Sequence, residues 1–383
     1  MYNDINQAFI SSLKDLIQYG NEICVRSSTS YEILDYSFII SNPSHRVLTR
    51  PHRYNNFPAT IAETLWVLAG RSDMQFLSFF LPNATSYSDD GTSWRGAYGT
   101  RLRRFYSGYD QINGVIEAIK KDPYTRQAIM VIPRADYDYD PRIETKDRPC
   151  TIFVQFMVRD NKLHCFVRMR SNDVMWGCFN INVVEFTFLQ ELIAGITSYK
   201  LGNYHHNANS FHYYEVHKER INNILLEQEY DIYRLDDRIT EGNIVKFNSI
   251  EELDQSIRYG MDIIVNAINL GWNSEYISED ALPKYKTYEV KDQIFTNYIL
   301  SPLSFIMLKK LGPLEAIKLL TFNHKINIKR DMMIANLEYI ISHANEYTQS
   351  DDEINETRKR VRKYLSDHFY SPETVNFVFW RNK

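Results

Sequence analysis

Two stretches of alternating character, TIFVQFMV and LHCFVRMR, stand on either side of RDNK, and the pattern forces residues 151 to 170 into an antiparallel hairpin. A helix repeats its faces about every 3.6 residues and cannot serve a period of two, so any fold open to this chain contains a sheet. On the second strand His164, Phe166, Arg168 and Arg170 share one face. Helical patterns surround the hairpin. ATIAETLWVLAG (59–70) is apolar on nearly every side, with Pro58 near its first turn and Gly70 as its stop. DQINGVIEAIKKDP (110–123) begins at Asp110, a natural N-cap, and sets Ile112, Val115, Ile116 and Ile119 on one face before Pro123 ends it. NVVEFTFLQELIAGIT (182–197) reads as a largely buried helix, and YEILDYSFII (31–40) as a further strand leading into a loop rich in Pro, Asn and Arg. These alternations make the first part of the chain α+β, a sheet flanked by helices. After about residue 250 only helical patterns remain, which divides the chain into a domain at 1–250 and a helical C-terminal extension at 251–383. The basic run RKRVRK (358–363) follows acidic residues and reads as a solvated helix face.

The remaining global features exclude more than they assign. A chain of 383 residues, 44% hydrophobic, can bury a conventional core. Its formal net charge of −4 supplies no field for holding a polyanion, so no nucleic acid polymer is expected as a partner. No apolar run approaches the length of a membrane span, and MYNDINQAFISSLKDL lacks the basic start and apolar centre of a secretory signal, so a cytoplasmic protein without a membrane partner is expected. Cys24, Cys150, Cys165 and Cys178 are neither clustered as metal ligands nor dense enough for a disulfide framework. They are expected as thiols, which leaves one available as a nucleophile.

Cys150 follows a proline and opens the first strand of the hairpin, and Arg170 ends the second and begins the polar loop RSNDVMWG. Antiparallel pairing brings the two together, and a thiol beside a fixed positive charge is the arrangement that makes thiolate available. The plainer reading of a cysteine at a strand start is a small buried hydrophobe. Glu63 is a carboxylate inside the apolar helix IAETLWVL; it either reaches the surface or a structural arginine, or its pKa is driven up, which suits a proton shuttle. HHNANSFHYYEVH (205–217) has no familiar metal spacing. His212 and Tyr214, two apart, share one face of an extended segment and are hydrogen-bonding candidates, whereas His205, His206 and His217 read as core or surface histidines.

Seven segments in order, IAETLWVLAG, GAYG, DPYTRQ, RPCTIFVQF, RSNDVMWG, the helix opened by FNINV, and SFHYYEVH, resemble the thymidylate synthase and deoxypyrimidine nucleotide hydroxymethylase family over roughly residues 20 to 220. The resemblance implies a thymidylate synthase-like mixed sheet flanked by helices. It implies an enzyme in which the Cys150 thiolate adds to carbon 6 of a pyrimidine deoxynucleotide, so that carbon 5 can attack the methylene group of 5,10-methylenetetrahydrofolate. Arg170 and Ser171, with Arg26 and Arg126, would grip the phosphate. The arginines of DP-x-[ST]-R cross between subunits in this family, implying a homodimer, although Gln127 stands here where a second arginine is usual. His212 and Tyr214 match the pair that bonds the sugar hydroxyl, Glu63 and Tyr98 match residues that manage protons and ordered water around the base, and Asp173 matches a carboxylate near folate and ring. The base would be read by an asparagine, Asn180 or Asn182. The local spacing departs by one from the family pattern, and Asn182 is favoured because the helix behind it aligns without a gap. Either asparagine favours dUMP over dCMP.

Two departures bear on the product. A tryptophan usual upstream of the GxxYG-type turn has no clear counterpart in NATSYSDDGTSWRGAYG, where Ala84 or Tyr87 stands near its place and Trp94 lies too close to the turn. Water reaching the intermediate would give a 5-hydroxymethyl product in place of 5-methyl, and both stay open. The family's short apolar tail is here a long helical region ending in FVFWRNK. Alternatives are dCMP or a ribonucleotide as substrate, or a non-catalytic nucleotide-binding scaffold.

Overall fold

The hairpin sits in the middle of a mixed sheet. A computed structural model describes residues 1–25, 27–227, 231–236, 239, 244–269, 292–322, 329–368 and 370–380. Its strands are β1 (Asn21–Val25), β2 (Ser28–Ile40), β3 (Ile129–Val131), β4 (Thr151–Arg159), β5 (Lys162–Met169), the two-residue β6 (Asn172–Asp173) and β7 (Lys200–Tyr214). They lie in the order β1-β2-β7-β5-β4-β3, with β6 beside β7. The β4–β5 turn is closed by Arg159 opposite Lys162, and Asp160 and Asn161 take φ of 50° and 59°, the left-handed region that a two-residue hairpin turn requires and that these residue types tolerate. β5 and β6 run parallel to β7, and the other pairs are antiparallel. A parallel connection needs a crossover, and the helix Val183–Thr197 supplies it, ending at Ser198 with φ 61°.

Local chemistry sets the helix ends. Asp4 caps the helix Ile5–Tyr19 by accepting from the Gln7 amide, and Asp110 caps Gln111–Lys121 by accepting from Asn113. The helix read around Glu63 spans Phe57–Leu68, with the Ala59 amide donating to Asn56 Oδ1 at 3.2 Å and Gly70, at φ +69°, beyond its end. Against the sheet an aromatic seam forms: Phe179 meets Phe9 at 5.3 Å and Phe38 at 5.1 Å between ring centroids. The expected α+β architecture, a mixed sheet with flanking helices, is the one observed.

Two compact units divide the chain. The first comprises residues 1–48, 63–227 and 248–250, and the second 49–62, 228–247 and 251–383. The second is helical, built from Ile250–Asn269, Thr296–Leu311, Pro313–Phe322, Arg330–Tyr347, Asp351–Asp367 and Pro372–Val378. Leu308, Ile317, Ile334, Leu337, Ile340 and Val361 are among its fully buried side chains, and Tyr233 donates to Asp331 at 2.9 Å inside it. The run RKRVRK lies on Asp351–Asp367, where Val361 faces inward while Lys359 and Lys363 are exposed and pair with Glu356 and Asp367. Among the described residues no helix is long and apolar enough to cross a membrane.

Candidate active site

Cys150 occupies the loop residue just before β4, half-buried, with its Sγ 4.0 Å from the Arg148 carbonyl. The backbone beneath it is held by one side chain and its own amide. Arg170 donates from its backbone N–H to the Cys150 carbonyl (2.8 Å), from Nε to Pro149 (3.0 Å) and from Nη2 to Arg148 (2.9 Å), so three successive carbonyls are taken by one residue. Tyr139 adds a hydrogen bond from its hydroxyl to the Pro149 carbonyl at 3.1 Å. The Arg148 guanidinium reaches back to the carbonyls of Asp138, Asp140 and Ile143. The hairpin thus forms as its pattern predicts and brings Arg170, just after β5, onto the backbone of Cys150, just before β4.

On the other side, the Tyr98 hydroxyl accepts from both the backbone N–H (3.1 Å) and the Oγ1 (3.0 Å) of Thr151. Tyr98 opens a short helix packed so closely on the end of the helix Phe57–Leu68 that a Cβ at Gly99 would lie 2.8 Å from the carbonyls of Val67 and Arg71, which explains the second glycine of GAYG. Burial, and after it the charge of Cys150, pushes the Tyr98 hydroxyl pKa far up, so it remains a phenol. Its ring stacks on Phe186 at 6.2 Å.

Glu63 has a carboxyl desolvated enough for burial to raise its pKa to about 7, although part of the side chain reaches the surface. Glu185 lies deeper. Burial, and then the charge of Glu63, drives its pKa well above the usual carboxylate range, and its Oε1 is buried without a hydrogen-bond partner among the described residues. Sequence reasoning passed over Glu185, although it carries the signal that singled out Glu63, a carboxylate within an apolar helix. A raised carboxyl pKa favours the protonated fold, so the contribution of Glu63 to stability is fully present below the ordinary value of 4.5 and is lost as pH rises through about 7. The stability difference between wild type and Glu63→Gln, from urea unfolding, is expected to move against the wild type across that window by at most about 1.4 kcal/mol per pH unit. A difference independent of pH there would contradict the desolvated carboxyl.

Beyond Arg170 the chain passes through half-buried Ser171 to β6, whose pairing with β7 sets Asp173 opposite His212. Asp173 accepts from the amides of Met175 (3.0 Å) and Trp176 (2.9 Å) and so starts a π-helical segment, Val174–Asn182, in which the Val183 amide reaches back five residues to the Cys178 carbonyl. Asn182 Oδ1 accepts from Asn172 Nδ2 at 2.9 Å. A Cβ at position 177 would lie 2.9 Å from that donor, so Gly177 leaves the room the pair needs. Asn180 is also buried, with its Oδ1 unpartnered among the described residues. His212 is buried with its ring edge-on to Tyr214 at 5.2 Å, and Tyr214 ends β7 exposed. Arg126 lies apart on an exposed loop, with no side-chain partner among the described residues and its carbonyl accepting from Gln155 at 2.8 Å. Arg26 lies outside the described residues.

The thymidylate synthase family model matches residues 7–256, well over half of the chain. The chain belongs to the thymidylate synthase family. Among its curated relatives, a protein named deoxyuridylate hydroxymethyltransferase from Delftia phage PhiW-14 is 36% identical over 213 residues, covering 53% of this chain and 58% of the relative. A protein of the same name from Bacillus phage SP01 is 36% identical over 217 residues, covering 54% and 56%. A thymidylate synthase from Buchnera aphidicola is 27% identical over 192 residues, covering 47% of this chain and 68% of its own length. The chain therefore spans little more than half the length of the first two. In this thymidylate synthase family member, Trp94 is turned to a structural contact: it donates to the Ala84 carbonyl at 3.1 Å and meets Trp66 edge-on at 5.9 Å, while Tyr87 is exposed. Behind Asn182, Asn172 Oδ1 lies 2.9 Å from His206 Nε2, a pairing that the sequence reading of His206 as a core or surface residue does not anticipate.

Proposed function

We propose that this protein transfers a one-carbon unit from 5,10-methylenetetrahydrofolate to carbon 5 of dUMP through a covalent Cys150 adduct, and that water completes the reaction to give 5-hydroxymethyl-dUMP. The observation that carries the reading is the clamp on Cys150: Arg170 holds the three carbonyls from 148 to 150 while Tyr98 fixes Thr151. A nucleophile on so fixed a backbone is placed for attack at carbon 6 without ordering cost at the moment of reaction. The remaining N–H groups of Arg170, with Ser171, grip the phosphate. The exposed guanidinium of Arg126 supports its donation to a second copy, hence a homodimer. His212 and Tyr214 bond the sugar, and Asn182 reads the uracil edge.

The folate supplies the carbon at the oxidation level of formaldehyde. The residues present fit it: Asp173 keeps lone pairs beyond those taken by two amides, and Trp176 beside it is 50% exposed, an acceptor and an aromatic face of the kind a pterin takes. Glu63, poised near neutrality, can exchange a proton with water or with the base oxygen. The names of the phage relatives and the turning of Trp94 away to Ala84 and Trp66 support water, not hydride, as the finishing reactant.

The test is tritium release from carbon 5 of labelled dUMP and dCMP with methylenetetrahydrofolate, followed by mass spectrometry of the product. Release from dUMP with a hydroxymethyl product is expected. A methyl product would overturn the role of water, and release from dCMP alone would overturn the base.

A further inference from the structure

Resting on the reading of Asn182 as the group that meets the base, we propose that Tyr204, His206 and Asn172 form a polarised hydrogen-bond relay that locks the Asn182 amide in the orientation that accepts uracil and rejects cytosine. The relay is a chain of buried contacts behind the site. Tyr204 Oη lies 2.9 Å from His206 Nδ1, His206 Nε2 lies 2.9 Å from Asn172 Oδ1, and Asn172 Nδ2 donates to Asn182 Oδ1 at 2.9 Å. All four side chains are buried, Tyr204 and His206 almost completely.

An asparagine amide presents an acceptor and a donor side by side, and rotating it by half a turn exchanges them. Uracil offers N3–H and an O4 acceptor, whereas cytosine offers an N3 acceptor and a 4-amino donor. An unrestrained asparagine therefore suits either base, and selectivity requires that one rotamer be fixed from behind. A chain of amides and an imidazole can run in either direction, so something must set its sense.

Tyr204 sets it. Among the described residues, His206 Nδ1 is the only hydrogen-bond partner of its hydroxyl, and burial drives the phenol pKa well up, so the proton stays and must be donated there. Burial also holds the His206 pKa down, to about 3, so the ring is neutral and carries one proton. With Nδ1 accepting, that proton sits on Nε2 and is donated to Asn172 Oδ1, which leaves Asn172 Nδ2 to donate to Asn182 Oδ1. Phe38, stacked on the imidazole at 4.9 Å, prevents the ring from turning out of line. Flipping Asn182 for cytosine would set its NH2 against that of Asn172, and relieving this would require reversing every bond back to a hydroxyl that has no second acceptor among the described residues.

Tyr204→Phe keeps the shape and removes the proton that sets the sense. The experiment is equilibrium binding of dUMP and dCMP to wild type, Tyr204→Phe and Asn182→Ala proteins, with the ring-nitrogen NMR shifts of His206 recorded in the nucleotide-free chain. In the wild type a single Nε2–H tautomer and a preference for dUMP are expected. In Tyr204→Phe the tautomers mix and the dUMP to dCMP affinity ratio falls about tenfold, whereas general loosening would weaken both nucleotides alike. An Nδ1–H tautomer in the wild type, an unchanged ratio in Tyr204→Phe, or a preference that survives Asn182→Ala would each overturn the relay. A wild type that binds neither nucleotide, or both equally, would instead overturn the proposed function and the relay's purpose with it.

Discussion

The Cys150→Ala protein is expected to release tritium from carbon 5 of dUMP at least about 10⁴-fold more slowly than wild type, while still binding the nucleotide. On the proposed mechanism the loss is large because the thiol is the one group without a substitute. Arg170, Tyr98 and Tyr139 all bind main-chain or Thr151 atoms around Cys150, so the clamp survives truncation of the side chain. Binding and chemistry therefore separate in this variant. Residual release within a hundredfold of wild type would show that carbon 6 is attacked by something else.

The second large effect concerns stability. Asp138 is completely buried; its Oδ1 accepts from Arg101 Nη2 at 2.8 Å, and its Oδ2 from Arg101 Nη1 at 2.6 Å and from the Arg134 amide at 2.7 Å. Asp138→Ala strands a buried guanidinium and is expected to cost about 3–5 kcal/mol, read as a lowered urea midpoint. Because the Asp138 carbonyl receives Arg148, two residues before the thiol, the folded fraction should also turn over dUMP more slowly. Removing both charges, as in Arg101→Met with Asp138→Leu, should recover much of the stability, since the penalty comes from the unpaired charge and not from the absence of the pair. A single variant as stable as wild type would mean that water reaches the guanidinium.

What the sequence disclosed followed from periodicity and caps. The hairpin, the cap at Asp110 and the helix containing Glu63 are local, and local chemistry decided them. The site was legible where covalent order implies spatial order: a hairpin must return Arg170 to Cys150. What stayed hidden depends on pairing across long separations. Asn172 and His206 meet only because β6 and β5 both run parallel to β7, and no periodicity records a parallel neighbour. The second unit gathers residues 49–62 and 228–247 with the C-terminal helices, a grouping made by tertiary contact alone. Glu185 was legible by the signal that singled out Glu63, a carboxylate within an apolar helix, and shares its buried helix with a second carboxylate, Glu191.

The π-helical winding of Val174–Asn182 has a consequence for how such a chain can change over generations. A turn closed at five residues holds one more than an α-turn does, so a single-residue gain or loss can be taken up there while Arg170 on one side and the buried helix on the other keep their registers. Shortening it by one would return the segment to α-geometry and swing the residues ahead of Val183 by about 100°. The residues proposed to hold the phosphate and those proposed to read the base are thereby mechanically uncoupled, and each set is open to selection without disturbing the other.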